Sequence, residues 1–196
     1  MHYLTKATEI RDFISTLTSA KTLWLDTEIA DFRTKNPRLS LIQVLADPTD
    51  STGVSAYLLD VLDKHDLAEY FIKQIMINAN IEKVFHNASF DVKYLGGSLE
   101  TNITCTLKLA RKITRDRLEV SNLKLKTLAS ELCRFVNVDA DEGSSDWGKR
   151  PLSNKQVKYA AMDTVYLAAV HRKLLEISHP HAVANISQPV TEKYVN

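Results

Sequence analysis

The chain has 196 residues, with 25 Lys and Arg against 24 Asp and Glu for a net charge of +1, and 44% of its residues are hydrophobic. That length suits one domain, or one domain with a tail, and supports a packed core, while five Gly and five Pro exclude a collagen-like or broadly disordered chain. The near-zero charge excludes a strongly basic protein, so any polyanion site must be local, and Cys105 and Cys133 are too few for a disulfide framework.

The N-terminal stretch MHYLTKATEIRDF lacks the apolar run of a signal peptide, and no window holds the ~20 apolar residues of a membrane span. The chain therefore reads as soluble and cytoplasmic, with no membrane partner and nothing that calls for a protein partner. Ile10, Phe13, Ile14 and Leu17 recur at helical spacing, so Thr5 to Leu17 reads as a helix. Thr22 to Ile29 (TLWLDTEI) has the apolar density of a buried strand. Leu39 to Ala46 (LSLIQVLA) and Val54 to Leu59 (VSAYLL) read as two more, and the turn formers Asp47, Pro48, Asp50, Ser51 and Gly53 predict a hairpin-like pair. Leu67 to Met76 reads as a helix and Ile81 to His86 as a short strand. Ser89 to Leu95 reads as a helix ending at Gly96-Gly97, and Asn102 to Cys105 as a further short strand. Helical patterns follow over Thr106 to Ile113 and Leu123 to Leu132, and residues 139 to 153 are polar and loop-like. Ser153 and Gln156 then have capping-box spacing at the head of a long helix from Asn154 to Ile177. Strands in the first half with interleaved helices predict an α/β or α+β chain around one mixed sheet.

Three places carry acids among apolar neighbours. Side chains two apart in a strand share a face, so Asp26 and Glu28 project together from a segment otherwise made of Leu23, Trp24, Leu25 and Ile29. Buried, the pair needs a compensating cation; at a strand end it would meet water. The hexapeptide HNASFD (86–91) follows a short strand and opens a helix. Either Asn87 or Ser89 caps that helix with Asp91 near its positive end, or Asp91 reaches towards Asp26 and Glu28. On the long helix, Tyr159 and Asp163 are four apart and share a face, either as a core tyrosine with an acid at its rim or as part of the same cluster. Four carboxylates converging within ~4 Å would cost roughly 4 kcal/mol per charged pair at an effective dielectric of 20. Such a cluster is tolerable if protonated or if it holds cations, and an oxygen-only donor set selects Mg²⁺ or Mn²⁺ over zinc.

LDTE (25–28), HNASFD (86–91) and Tyr159-x-x-x-Asp163 are similar to the three motifs of the DEDD 3′–5′ exonucleases, in their tyrosine-bearing branch. LSLIQV (39–44) and SDWGKRPLSNKQVKYAAMDTVYL (145–167) resemble more narrowly the catalytic domain of ribonuclease D, and the likeness spans about residues 1 to 178. The resemblance implies a ribonuclease H-like α/β fold with a mixed five-stranded sheet flanked by helices. It implies a 3′–5′ exonuclease domain over 1–179. After His179-Pro180 the chain turns polar and irregular, so 180–196 reads as a C-terminal surface tail or the stub of a linker, a departure from full-length ribonuclease D with its C-terminal helical domains. The activity implied is hydrolysis of single-stranded nucleic acid, RNA favoured, from a free 3′-hydroxyl to release nucleoside monophosphates, with two divalent cations, Mg²⁺ or Mn²⁺, as cofactors. Asp26, Glu28 and Asp163 would hold the ion that carries the attacking water, Asp26 would bridge to the second ion, and Asp91 would hold that ion through water. Tyr159 would orient the water, since a phenol with a pKa of about 10 is better suited to positioning than to proton abstraction. The Thr27 backbone and Glu28 would meet the 3′-hydroxyl, and Asn87 and Phe90 would touch the last nucleotides by hydrogen bonding and stacking. Asn87 departs from the ribonuclease D pattern and resembles the proofreading domain of DNA polymerase I. A 3′–5′ DNA exonuclease therefore stays open as an alternative, as does a non-catalytic nucleic-acid-binding domain on the same fold.

A run of seven basic residues (Lys108, Arg111, Lys112, Arg115, Arg117, Lys124 and Lys126) stands against Asp116 and Glu119, and Lys149, Arg150 and Lys155 form a second basic group. Both read either as solvated faces or as a track for phosphates, whose contacts would make binding salt-sensitive. Trp24 and Trp147 read as structural.

Overall fold

Alternation along one strand organises the molecule: in β2 (Thr22–Ala30), Leu23 and Leu25 enter one hydrophobic layer while Trp24 enters the other. The computed structural model describes residues 1–99, 101–113, 115–139 and 141–178, so the expected tail over 180–196 lies outside the described residues. Around β2 stand β1 (His2–Leu4), α1 (Ala7–Leu17), β3 (Arg38–Leu45), β4 (Tyr57–Asp60), α2 (His65–Phe71), β5 (Glu82–Phe85), α3 (Ser89–Val92) and β6 (Ile103–Cys105). The chain continues through α4 (Thr106–Lys112), α5 (Arg115–Leu118), α6 (Leu125–Thr127) and α7 (Asn154–Ser178). Helices α2 and α6 run on as π-helical turns over Ile72–Met76 and Leu128–Leu132.

The sheet is mixed, as expected, but has six strands in the order β1-β4-β3-β2-β5-β6 rather than five. Strand β3 is antiparallel to β2 and β4; the pairs β1–β4, β2–β5 and β5–β6 are parallel. The added strand is β1, three residues paired in parallel with Tyr57, Leu58 and Leu59 at the sheet edge. It is too short to show a period of two, and its partner is distant in sequence. The predicted hairpin is the β3–β4 pair, but β4 starts at Tyr57 rather than Val54. The Asp50 carboxylate accounts for this: it accepts from the backbone N–H groups of Thr52, Gly53 and Ser55 at 2.7–2.9 Å and curls the segment before the strand. Helix α3 stops at Val92 rather than Leu95, because Tyr94 and Leu95 donate to the carbonyls only three residues back, ahead of Gly96 at φ +106°.

Helices α1 and α2 cover one sheet face through Ile10, Ile14, Leu67 and Phe71. The other face packs on α7, where Ala160, Ala161, Val165 and Ala168 meet Trp24, Leu41, Leu45 and Leu58. A third cluster (Ala110, Leu128, Tyr166, Val170 and Leu174) packs the α4–α6 region on the outer flank of α7. The capping box forms as its spacing predicts, Ser153 N–H donating to Gln156 Oε1 at 3.0 Å and Gln156 N–H to Ser153 Oγ at 3.1 Å. Among the described residues, no helix is long and apolar enough to cross a membrane.

Candidate active site

At the carboxyl end of β2 the pairing with β3 slips between Glu28 and Ile29, leaving Ser40 as the extra residue of β3. Such a bulge bends a strand and re-aims its side chains. Here the buried Ser40 hydroxyl donates to the Trp147 carbonyl at 2.6 Å and lies 2.9 Å from Arg150 Nη2, which ties the loop after α6 to the strand end where Asp26 and Glu28 emerge. From the other side α7 brings Asp163, and Asp26, Glu28 and Asp163 each place one carboxylate oxygen within 4.8 Å of the others. Asp91 arrives on α3, 2% exposed, and accepts from the Thr27 hydroxyl at 2.7 Å. It stands outside that triplet but close enough that the charge of Asp26 raises its pKa.

Burial sets the electrostatics, followed by like charge. Asp26 is pushed up to about 6 by desolvation. Glu28 rises well above the carboxylate range through burial and the charges of Asp26 and Asp91, and Asp91 rises likewise through burial and Asp26. The compensating cation is Lys126. Sequence reading places it in a basic run that is either a solvated face or a phosphate track, but α6 turns it onto α7, where it forms an ion pair with Asp163. Its ammonium lies 4.0 Å from the ring centre of Tyr159 and 4.9 Å from that of Tyr166. Burial pulls the Lys126 pKa down to about 8. One lysine against four acids leaves the cluster short of positive charge. Hard oxygen donors, three of them converging, with carboxylates whose burial is otherwise uncompensated, fit a divalent cation of the Mg²⁺ or Mn²⁺ type.

Tyr159 lies one helical turn before Asp163, and burial together with the charges of Glu28 and Asp26 holds its phenol protonated far above neutral pH. The backbone of Gly143 closes over it: a Cβ there would sit 2.8 Å from the Tyr159 hydroxyl oxygen, so a side chain at this position would shift the phenol or the loop. Asp26, Glu28 and Asp163, with Thr27, Phe90 and Tyr159, line a cavity of about 650 Å³, and Asp91 lies outside its lining. At its rim stands Phe32, 57% exposed, its ring 5.5 Å from that of Phe90 in an edge-on arrangement. Sequence reading misses Phe32; its one signal is an aromatic residue in the polar run after the first motif, DFRTKNP.

Asn87 and Phe90 part company. Asn87 takes a left-handed φ of +63° and lines a second cleft of about 470 Å³ with His86, Arg111, Leu123, Lys124 and Leu125. No side chain caps α3, so the capping role open to Asn87 or Ser89 is not taken. His86 in that cleft is held neutral, its pKa pulled down to about 4 by burial. The second basic group is not a free cationic face. Arg150 binds Asp60 through Nε at 2.7 Å and Nη2 at 3.0 Å, and Lys155 faces Asp139 and Glu142. Trp24 and Trp147 are both buried; Trp24 donates to His171 Nδ1 at 3.3 Å, whereas Trp147 also lines the cavity.

A mixed sheet whose β2 offers two acids to a third on the last long helix defines a ribonuclease H-like nuclease domain. The sequence pattern of the 3′–5′ exonuclease family matches residues 1–178, and the chain belongs to that family. It is 30% identical over 174 residues to ribonuclease D of Bartonella henselae, covering 87% of this chain and 40% of that protein, so it spans well under half the length of this relative. In structure it is similar to Escherichia coli RNase D, with a TM-score of 0.70 and 24% identity over 91% of this chain and 45% of that one. It is also similar to Brucella melitensis NrnC with bound Mg²⁺, with a TM-score of 0.63 and 20% identity over 98% and 96% of the two chains. NrnC bound to pGG gives a TM-score of 0.64 at 24% identity over 86% and 78%.

Proposed function

We propose that this chain is a divalent-metal-dependent 3′–5′ exoribonuclease that shortens single-stranded RNA one nucleotide at a time from a free 3′-hydroxyl, releasing nucleoside monophosphates. The carrying observation is the acid set itself: four carboxylates gathered from β2, α3 and α7 with one lysine to balance them. A scaffold gains nothing from acids that raise one another's pKa. Asp26, Glu28 and Asp163 would hold one ion, and Asp26 with Asp91 a second; Mg²⁺ or Mn²⁺ suits these donors, and the Mg²⁺-bound NrnC supports that choice. When bound, such ions activate water and neutralise charge on a phosphodiester.

The remaining work falls to the protein. Tyr159, kept protonated, holds the attacking water by its hydroxyl rather than removing its proton. Thr27 and Glu28, which line the cavity, would meet the terminal 3′-hydroxyl, and Phe90 with Phe32 would offer apolar ring surface to the last base. Asn87, Arg111 and Lys124 would receive the strand upstream, in the second cleft. The exonuclease domain would take up residues 1–179, and the free thiols of Cys105 and Cys133 suit a reducing cytoplasm. The preference for RNA follows the ribonuclease D relative. Incubating 5′-labelled RNA and DNA of one sequence with Mg²⁺ or Mn²⁺ tests the whole reading. We expect a ladder shortened from the 3′ end, faster on RNA, stopped by chelator and blocked by a 3′-phosphate. Absence of metal-dependent shortening, or dependence on zinc alone, overturns it.

A further inference from the structure

Lys126 contacts Asp163, and its charge also lowers the pKa values of Asp26 and Glu28 against the rise from burial. Its Nζ and the Asp163 Oδ1 that it meets are both closed to solvent, and neither has a hydrogen-bond partner besides this ion pair. Lys126 does not line the cavity, whereas Asp163 does. The lysine is fixed by its surroundings: Tyr159, Asp163 and Tyr166 stand at positions i, i+4 and i+7 on one face of α7, and the ammonium rests on both rings and the carboxylate together. An acid held by one oxygen cannot rotate freely about its last bond, which leaves Oδ2 as the oxygen open to a further ligand.

Resting on the metal-dependent reading above, we propose that Lys126 is a positioning residue: it pins Asp163 Oδ1 so that Oδ2 is presented at a fixed angle to a divalent cation shared with Asp26 and Glu28. Small divalent cations demand near-ideal ligand directions, and partners that orient a ligand from outside typically change metal affinity 10–100-fold. The same contact explains why a lysine is kept in an apolar seam between two tyrosines, where a leucine of similar bulk would pack without desolvating a charge.

Titration with Mn²⁺, read by the loss of the free-ion electron paramagnetic resonance signal, tests this without any turnover. Lys126→Met keeps the stem between the rings and removes the charge; Lys126→Arg keeps the charge. We expect Lys126→Met to weaken Mn²⁺ binding about 10–100-fold and Lys126→Arg to restore most of it. Adding Lys126→Met to an Asp163→Asn protein should change affinity no further. Should Lys126→Met melt too low to assay, Lys126→Gln carries the same comparison. Mn²⁺ binding by the lysine variants as tight as wild type, or tighter, overturns the proposal, the tighter result marking Lys126 as a competitor of the ion. A wild-type protein that binds no Mn²⁺ overturns the metal-dependent reading as well, which separates the two failures.

Discussion

Two buried acids flank the same residue of the sheet and have opposite fates. Leu41 on β3 pairs with Glu28 on one side and with Asp60 on the other. Asp60 is 4% exposed, and burial alone would raise its pKa. Yet Arg150 grips it with two nitrogens and the Tyr3 hydroxyl donates at 2.6 Å, and together these hold it below the ordinary carboxylate range. Glu28, buried to a similar degree, meets further acids instead and moves upward. Burial of an acid is therefore not a mark of chemistry. The inventory of partners around it is, since a fully satisfied pair is architecture and a shortfall of positive charge is a place for a ligand.

Substitution should split the two regions most sharply. Asp26→Asn is expected to reduce RNA hydrolysis at least about 1,000-fold, the equivalent of several kcal/mol of transition-state stabilisation, while raising the melting temperature of the chelator-treated protein by removing a repelled charge. Asp60→Ala should do the reverse, costing about 1–3 kcal/mol of stability because the half-buried Arg150 and the Tyr3 hydroxyl lose their carboxylate partner. Thermal melts and gel assays of both variants decide the matter. A lower metal-free melting temperature for Asp26→Asn would show the cluster to be as well compensated as Asp60.

The acids themselves were legible because each sits at a period that the chain states openly: two residues apart in β2, four apart on α7, and one turn into a helix after a short strand. Their partners were not. Lys126 and Arg150 read as members of basic runs, and only the packing of α6 on α7 and the Ser40 bulge reveal that one meets the acid cluster and the other locks a loop. Strand β1 was hidden for the same reason, its partner being far along the chain. Asn87 and Phe90 lie three residues apart in one motif, but a left-handed backbone at Asn87 sends them to different cavities. Local periodicity exposes which side chains are buried; it does not say what they are buried against.

Gly143 sharpens the contrast from the loop side. Any side chain there meets the Tyr159 hydroxyl, so Gly143→Ala must displace either the loop or the phenol. A shift of about 1 Å in a group that positions a reactant can lower rate around 100-fold. Gly143→Ala is expected to lower kcat on that scale with KM little changed, and Tyr159→Phe to lower it similarly, with little further loss in the double variant. Independent, multiplying losses in steady-state assays would mean that the glycine serves the loop fold rather than Tyr159.

The smallest effect concerns pH, and there the two regions pull in opposite directions. An acid whose folded pKa lies above its unfolded value of about 4 contributes most below that value and loses its contribution as pH rises through the folded one. Asp26, pushed up to about 6, and Glu28 and Asp91, moved the same way, should make the metal-free protein less stable as pH climbs from about 4 through 6 and beyond. Asp60, moved downward, contributes above its unfolded pKa and loses that contribution as pH falls, so it blunts the trend in acid. Asp60→Asn should therefore lower the metal-free melting temperature by a similar amount at every pH above about 4 and leave the decline through about 6 unchanged. Divalent ions need the ionised carboxylates, so the rise in melting temperature produced by Mn²⁺ should be small near pH 5 and widen above about pH 6. Melting curves from about pH 4.5 to about pH 8, with chelator and with Mn²⁺, measure that gap. A gap of constant width would mean that the cluster does not titrate in this range, and that its charge shortfall is smaller than that drawn here from the contrast with Asp60.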